Sequence, residues 1–187
     1  EDYSNFGDTL NYKVAALYKV NDNVRLRGTY STGFHAPTGG QANITNVTTQ
    51  NVNGQLVDQG TLPLNTAAGQ LAADYIESTS GERPTLTAED ARNISLGMAF
   101  NTGGINWTVD YFNIDVKDRV ALGANVDFLD ALQAAGATAG TIGGALTELD
   151  AAGTISRTDF VGLDDLAQFR FFSNAFDTKT QGIDIKA

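Results

Sequence analysis

Side chains alternate with period two along residues 9–20 and again along 24–34, and only Asn21, Asp22 and Asn23 separate the two runs. Even positions carry Tyr12, Val14, Ala16, Tyr18 and Val20, then Val24, Leu26, Gly28, Tyr30, Thr32 and Phe34. Odd positions carry Lys13, Ala15, Leu17 and Lys19, then Arg25, Arg27, Thr29, Ser31 and Gly33. One face is mostly apolar with aromatic ends, the other mostly polar and cationic, as in a strand set between an apolar medium and water. Both runs exceed the length of about five or six residues usual in globular sheets. At about 3.3 Å per residue and a tilt near 45°, roughly eleven residues cross a bilayer core of about 25–30 Å. A half-exposed hairpin of a soluble sandwich has the same alternation, so this hairpin alone leaves both readings open.

Further strands extend the rhythm. Residues 93–100 place Ile94, Leu96, Met98 and Phe100 on one face, and the stretch Asn101, Thr102, Gly103, Gly104 tolerates the positive φ of a tight turn. A strand over 105–117 follows, with Ile105, Trp107, Val109 and Tyr111 alternating against Asn106, Thr108 and Asp110. After Tyr111 the phase inverts, which calls for a β-bulge near Phe112 or for the strand leaving the apolar medium there. Strands over 167–175 and 180–187 are expected next, joined by a turn at Phe176, Asp177, Thr178 and Lys179. Residues 1–6 read as the tail of a preceding strand, with Gly7 and Asp8 as its turn.

The connections sort by length. Short turns alternate with two long stretches, about 35–92 and 118–166. Irregular loops of that length are uncommon inside compact domains. Short turns on one side and long loops on the other are the arrangement of outer-membrane barrels, whereas a sandwich has no reason to sort its loops this way. The long loops carry helical signals of their own. Asn125 or Asp127 caps a short helix through Phe128, Leu129 and Leu132; Ile142, Leu146 and Leu149 recur at helical spacing, interrupted by Gly143 and Gly144; and 65–77 holds a turn with Leu71 and Tyr75 on one side. Such helices are expected to pack over a barrel mouth.

Composition narrows the function. The 187 residues contain no run of eighteen or more apolar residues and no basic, apolar and small-residue leader pattern at the start. Alternation hides a barrel's lipid face from averaged hydropathy, so this leaves a membrane barrel open. With 42% hydrophobic residues the chain is too apolar for a disordered tail. The absence of cysteine excludes disulfides, thiolate metal sites and Cys nucleophiles. A net charge of −10 argues against a nucleic-acid partner, which needs clustered Lys and Arg.

Several motifs resemble those of TonB-dependent outer-membrane receptors, in that family's order. Tyr30-Ser31-Thr32-Gly33-Phe34-His35-Ala36-Pro37 is similar to the family's strand-end signature, and residues 1–7 resemble the external hairpin before it. Leu86-Thr87-Ala88-Glu89 with Asn93-Ile94-Ser95-Leu96-Gly97 resembles the entry to a down-strand. The match is fullest over residues 108–119, and Phe171-Phe172-Ser173-Asn174-Ala175 with Thr180-Gln181-Gly182-Ile183-Asp184 completes the series. His35 stands where the family favours Arg, and Ala88 where it favours Pro. The resemblance covers the strands and none of the long loops.

It implies an all-β fold: an antiparallel meander of long strands from a transmembrane β-barrel, with long external loops carrying short helices. It further implies a piece of the C-terminal half of a barrel of about 22 strands. Such barrels hold an N-terminal plug through which TonB drives import of a scarce substrate; neither plug nor TonB box is recognisable here. About five strands enclose no lumen, so residues 1–187 are expected to be part of a larger wall. The expected function is wall and external-loop segment of an active importer of a siderophore, vitamin, oligosaccharide or similar nutrient, located in the Gram-negative outer membrane. The expected partners are outer-membrane lipid and lipopolysaccharide, TonB through the missing plug, and a small-molecule substrate. Two other classes remain as alternatives: a passive porin-like channel, separated by the absence of a plug, and a soluble glycan-binding β-domain, which would need polar residues on the even face.

No enzyme, cofactor or metal site is expected. His35 is the sole histidine, so a Ser-His-Asp relay would rest on one strand-end residue. Glu89-Asp90 and Asp164-Asp165 lack the ligand spacing of a calcium loop and read as solvated charge. Gly39-Gly40 and Gly103-Gly104 do not lead from a strand into a phosphate-cradling helix. Lys13, Lys19, Arg25, Arg27 and Asp110 are the lumen-facing candidates, since an Arg at the lipid midplane would cost about 2–4 kcal/mol. Tyr12, Tyr18, Tyr30, Trp107 and Tyr111 are the membrane-facing aromatic candidates, suited to the headgroup level. Acidic residues gather in both long loops and read first as a solvated surface; the alternative is that they bridge lipopolysaccharide through divalent cations. Which loop residues meet substrate is not legible.

Overall fold

The computed structural model describes residues 2–3, 7–52 and 54–187. The elements in chain order are β1 (Asp2–Tyr3), β2 (Gly7–Asp8), β3 (Lys13–Lys19), β4 (Val24–His35), α1 (Gly39–Asn43), β5 (Asn46–Val52), β6 (Gln55–Thr61), α2 (Ala67–Ser80), β7 (Glu89–Thr102) and β8 (Ile105–Leu122). They continue with β9 (Val126–Asp127), α3 (Phe128–Ala134), α4 (Ile142–Ala151), a 3-10 turn at Arg157–Phe160, β10 (Leu166–Arg170) and β11 (Phe172–Lys186). Two compact units result, one of residues 1–36, 87–119 and 176–187, the other of 37–86 and 120–175.

The first unit is a five-stranded antiparallel meander in the order β11-β8-β7-β4-β3. Its hairpins are tight. Val20 and Asn21 both donate backbone N–H to the Val24 carbonyl, and Asn23 N–H is taken by Asn21 Oδ1 at 2.9 Å. Gly103 and Gly104 have φ of 60° and 78°, so β7 and β8 are joined by a two-residue turn with positive φ at both positions, the type I′ geometry that suits strand twist.

Four expectations change here. The β7–β8 register runs unbroken from Asp90↔Lys117 to Thr102↔Ile105, so no bulge lies at Phe112. The phase inversion marks where the apolar face ends. The strand expected over 167–175, its turn at 176–179 and the strand over 180–187 are replaced by β10, which belongs to the second unit, and the continuous strand β11. The polar residues at 176–179 are cross-strand partners, not a turn: Asp177 accepts from Lys117 Nζ at 3.1 Å and from the Asp118 N–H at 3.0 Å. Strands β7 and β8 also run past the limits expected for them, starting at Glu89 and ending at Leu122. At the start of the chain Gly7–Asp8 is a paired strand, with Tyr3 opposite Gly7, and residues 1 and 4–6 of the expected strand tail lie outside the described residues.

The second unit is built from most of the two long connections together with residues 167–175, and the connections do not form loose loops. A sheet in the order β5-β6-β10-β9 carries α2, α3 and α4. Its parallel β6–β10 pair joins the first connection to the second. The buried core draws on both: Leu62, Ala68, Ala72 and Ala73 from one, Phe128, Leu132, Leu146 and Phe169 from the other. Phe128 stacks against Phe160 at 6.2 Å and meets Phe169 edge-on at 5.4 Å. The helices start where the side chains can cap them: Thr66 accepts from Gly69 N–H, Asp127 from Leu129 and Asp130 N–H, and Thr141 from Gly144 N–H. Gly69 allows the α2 start to close on the chain, because a Cβ there would strike the Pro63 carbonyl oxygen and lie 2.6 Å from that of Leu64.

Glu148 of α4 clamps the preceding loop. It accepts the Thr138 hydroxyl at 2.7 Å and the N–H groups of Thr138 and Ala139 at 2.8 and 3.0 Å. These bonds, the Thr138 hydroxyl foremost, hold its carboxyl below the usual carboxylate range. A depressed folded-state value means the contribution is in place above the ordinary carboxylate range and is lost as pH falls through the folded-state value. Glu148→Gln is therefore expected to lower the temperature at which residues 124–165 become protease-sensitive at pH 7. The gap from wild type should narrow as pH falls below the ordinary carboxylate range and the native carboxyl takes up its own proton.

Candidate functional site

The meander separates two chemistries by face. Its registers align Val24 with Phe100 and Trp107, Leu26 with Met98 and Val109, and Tyr30 with Ile94 on one side. All five aromatic candidates lie on this side. Tyr12 packs on Tyr30 with ring centres 5.8 Å apart, and Trp107 stacks on Phe100 at 6.4 Å and 9°. Tyr18 is 67% exposed and Leu96 58%, so the face is open although apolar. Its upper edge steps down across the sheet, from Phe34 on β4 to Ile94 on β7 and Tyr111 on β8; beyond it stand Asp90, Arg92, Asn113, Asp115 and Lys117. A stepped edge is what tilted strands give.

The opposite face carries Lys13, Lys19, Arg25, Arg27 and Asp110, interrupted by exposed Leu17. Two of these candidates are brought together. Arg27 on β4 and Asp110 on β8 reach across β7 and pair through two hydrogen bonds, Nε donating to Oδ1 at 2.8 Å and Nη2 to Oδ2. They meet above Gly97, the register partner of both. Lys19 is 2.5 Å from Asp22 of its own turn, while Lys13 and Arg25 make no ion pair among those found in the described residues.

In the second unit, one sheet face is polar. Asn46, Thr61 and Arg170 align across three strands, Thr48, Gln59 and Gln168 form the next row, and Gln59 Nε2 donates to Gln168 Oε1 at 3.3 Å. Asn46, Thr48, Gln59, Thr61 and Arg170, together with Gln50 and Asn125, line a cavity of about 230 Å³. No sequence pattern marked these residues as a site; alternation of Asn, Thr and Gln with few apolar partners looks like loop composition. Their register was the missing signal, and it joins segments more than a hundred residues apart.

The acidic pairs are engaged elsewhere. Asp164 binds Arg157, Glu89 lies 3.9 Å from His35 Nδ1, and Asp74 and Glu77 both hold Arg83. Among the described residues no group of three His, Asp or Glu side chains is placed to hold a metal ion.

The family described as TonB dependent receptor-like, beta-barrel matches residues 1–187. No curated protein matches the chain. Among solved structures, the siderophore receptor PirA from Pseudomonas aeruginosa is similar at 15% identity over 98% of this chain and 26% of its own, with a TM-score of 0.54. A doubly substituted ferric enterobactin receptor, PfeA from Pseudomonas aeruginosa, is similar at 16% identity over 95% of this chain and 19% of its own, TM-score 0.52. PirA from Acinetobacter baumannii is similar at 16% identity over 97% and 21%, TM-score 0.51. At such identities the likeness is one of fold, and the chain spans between about a fifth and a quarter of those structures. With a two-faced antiparallel meander and a family match along its whole length, the chain belongs to the TonB-dependent receptor β-barrel family.

Proposed function

We propose that this chain is a wall and external-loop segment of an outer-membrane receptor that imports a scarce small nutrient with energy delivered through TonB. The observation that carries the reading is the meander's open apolar face, bounded by Trp107 and Phe100 at one edge and by Tyr12, Tyr30 and Tyr111 toward the other. From Val24 to Phe34 the strand rises about 33 Å, which at a 45° tilt spans about 23 Å, near the height of a barrel's lipid-facing band. The polar face, with Lys13, Lys19, Arg25 and the Arg27–Asp110 pair, then lines the lumen, and the aromatic residues meet lipid at headgroup level. The similar structures are described as siderophore receptors, which favours a ferric siderophore over a vitamin or oligosaccharide as substrate. Lipid and lipopolysaccharide are the partners of the outer face, and TonB acts through a plug.

Fractionation of the native protein, followed by a heat-modifiability gel shift, tests this reading. The expected result is an outer-membrane protein that migrates faster unheated than boiled. A soluble protein without the shift overturns the proposal. In iron-limited cells, disruption of TonB should abolish ferric siderophore uptake through the receptor while leaving surface binding in place.

A further inference from the structure

The second unit contains three cations, Arg83, Arg157 and Arg170, and no lysine. Arg83 is held by Asp74, Glu77 and Gln70, and Arg157 by Asp164. Arg170 differs from both. It takes part in none of the ion pairs among the described residues, although the unit around it is rich in carboxylates. It stands on the polar sheet face between Thr61 and Asn125, with Asn46, Gln59 and Gln168 nearby. The carboxylate nearest in register, Asp127 opposite Gln168, is turned to the start of α3, where it accepts from Leu129 and Asp130 N–H at 3.1 and 3.2 Å.

We propose that this face is a recognition groove for a hydrophilic small molecule bearing a carboxylate, with Arg170 reading the charge and Asn46, Gln59, Thr61 and Asn125 supplying hydrogen bonds. A guanidinium presents parallel N–H donors that match a carboxylate's two oxygens. One such cation neutralises one negative charge, and the acid-rich unit around it disfavours polyanions such as a phosphate dianion. The lining offers amides and hydroxyls and no aromatic platform, so it is suited to a polar ligand and not to a stacked sugar or an apolar one. About 230 Å³ is smaller than the pockets that enclose whole drug-sized ligands, roughly 300–1,000 Å³, so the groove takes one terminal group of its ligand.

The inference rests on the receptor reading, and the two fail separately: absence from the membrane fraction defeats the receptor, whereas the groove is tested on receptor purified from that fraction. Calorimetric titration of the intact detergent-solubilised receptor with gluconate, a polyhydroxylated monocarboxylate, should give saturable binding. Arg170→Gln should weaken it about tenfold or more, the scale of one charge-assisted hydrogen-bonded contact, and Arg170→Lys should weaken it less. Inorganic phosphate, largely a dianion, should bind more weakly than gluconate. No saturable gluconate binding, or gluconate binding that is the same in Arg170→Gln, overturns the groove, and phosphate binding as tight as gluconate overturns the carboxylate assignment. The substitutions leave the fold intact, because Arg170 holds Leu62 through its backbone carbonyl, at 3.0 Å, and not through its side chain.

Discussion

Phe128→Ala is expected to release both long connections at once. Its ring is fully buried, stacks on Phe160 and meets Phe169 edge-on, so truncation gives up the burial of the ring's apolar surface and opens a cavity among rigid neighbours. Substitutions of this kind cost about 3–5 kcal/mol, a large share of the roughly 5–15 kcal/mol that holds a whole domain. Phe128 lies in the second connection, but its core is shared with Leu62, Ala72 and Ala73 of the first, and β6 and β10 pair across the two. Limited proteolysis of the membrane-inserted protein should therefore show cleavage appearing together within 37–86 and 120–175, with the heat-modifiability shift unchanged. Cleavage confined to 120–175 would mean that the connections fold independently. Val161→Ala, a truncation at a 79% exposed side chain one residue past the 3-10 turn, is the control and should change neither.

The contrast between the two units explains what the chain disclosed. Strands β3, β4, β7 and the first part of β8 show their faces in the sequence because each has an apolar side and a polar side, and period two separates Tyr18 and Leu96 from Arg27 and Asp110. Helix starts at Asp127 and near Ile142 were legible from capping residues and spacing. Strand β11 was hidden because Asp177 and Lys179 look like a turn, and only the partners on β8 show that Asp177 is satisfied across the sheet. Strands β5 and β6 were hidden because one face is Asn, Thr and Gln, and the parallel β6–β10 register leaves no local trace. The same reason kept the Arg170 groove out of sight, since its parts are local to nothing but the folded sheet. Of the polar-face candidates, Arg27 and Asp110 were legible as sharing one face but not as a pair, nor was Gly97 as the residue between them.

That glycine carries the second large expected effect. Arg27 and Asp110 sit on strands that do not touch, and their side chains bond by passing over β7 at Gly97. A Cβ on Gly97 would overlap Asp110 Oδ1 and lie 2.7 Å from Arg27 Nε, so Gly97→Ala must push the pair apart or lift the strand. The backbone at Gly97 is ordinary, without positive φ, which makes the requirement one of space. The ion pair by itself is worth little, because the Arg27 side chain is 54% exposed and exposed pairs contribute about 0–1 kcal/mol. The methyl would also lie 2.9 Å from Arg27 Cγ, so both side chains must turn aside; because they are partly exposed and free to move, this costs about 1 kcal/mol, the low end of overpacking. A triple-substitution cycle separates crowding from pairing. Gly97→Ala should lower the urea midpoint of the refolded barrel in the wild-type background and be nearly neutral once Arg27→Ala and Asp110→Ala have cleared the space. An equal loss in both backgrounds would show that Gly97 serves the strand and not the pair. Asp110→Asn, which preserves volume while removing the charge, should cost less than Gly97→Ala, because it introduces no crowding and the carboxamide oxygen still accepts from Arg27.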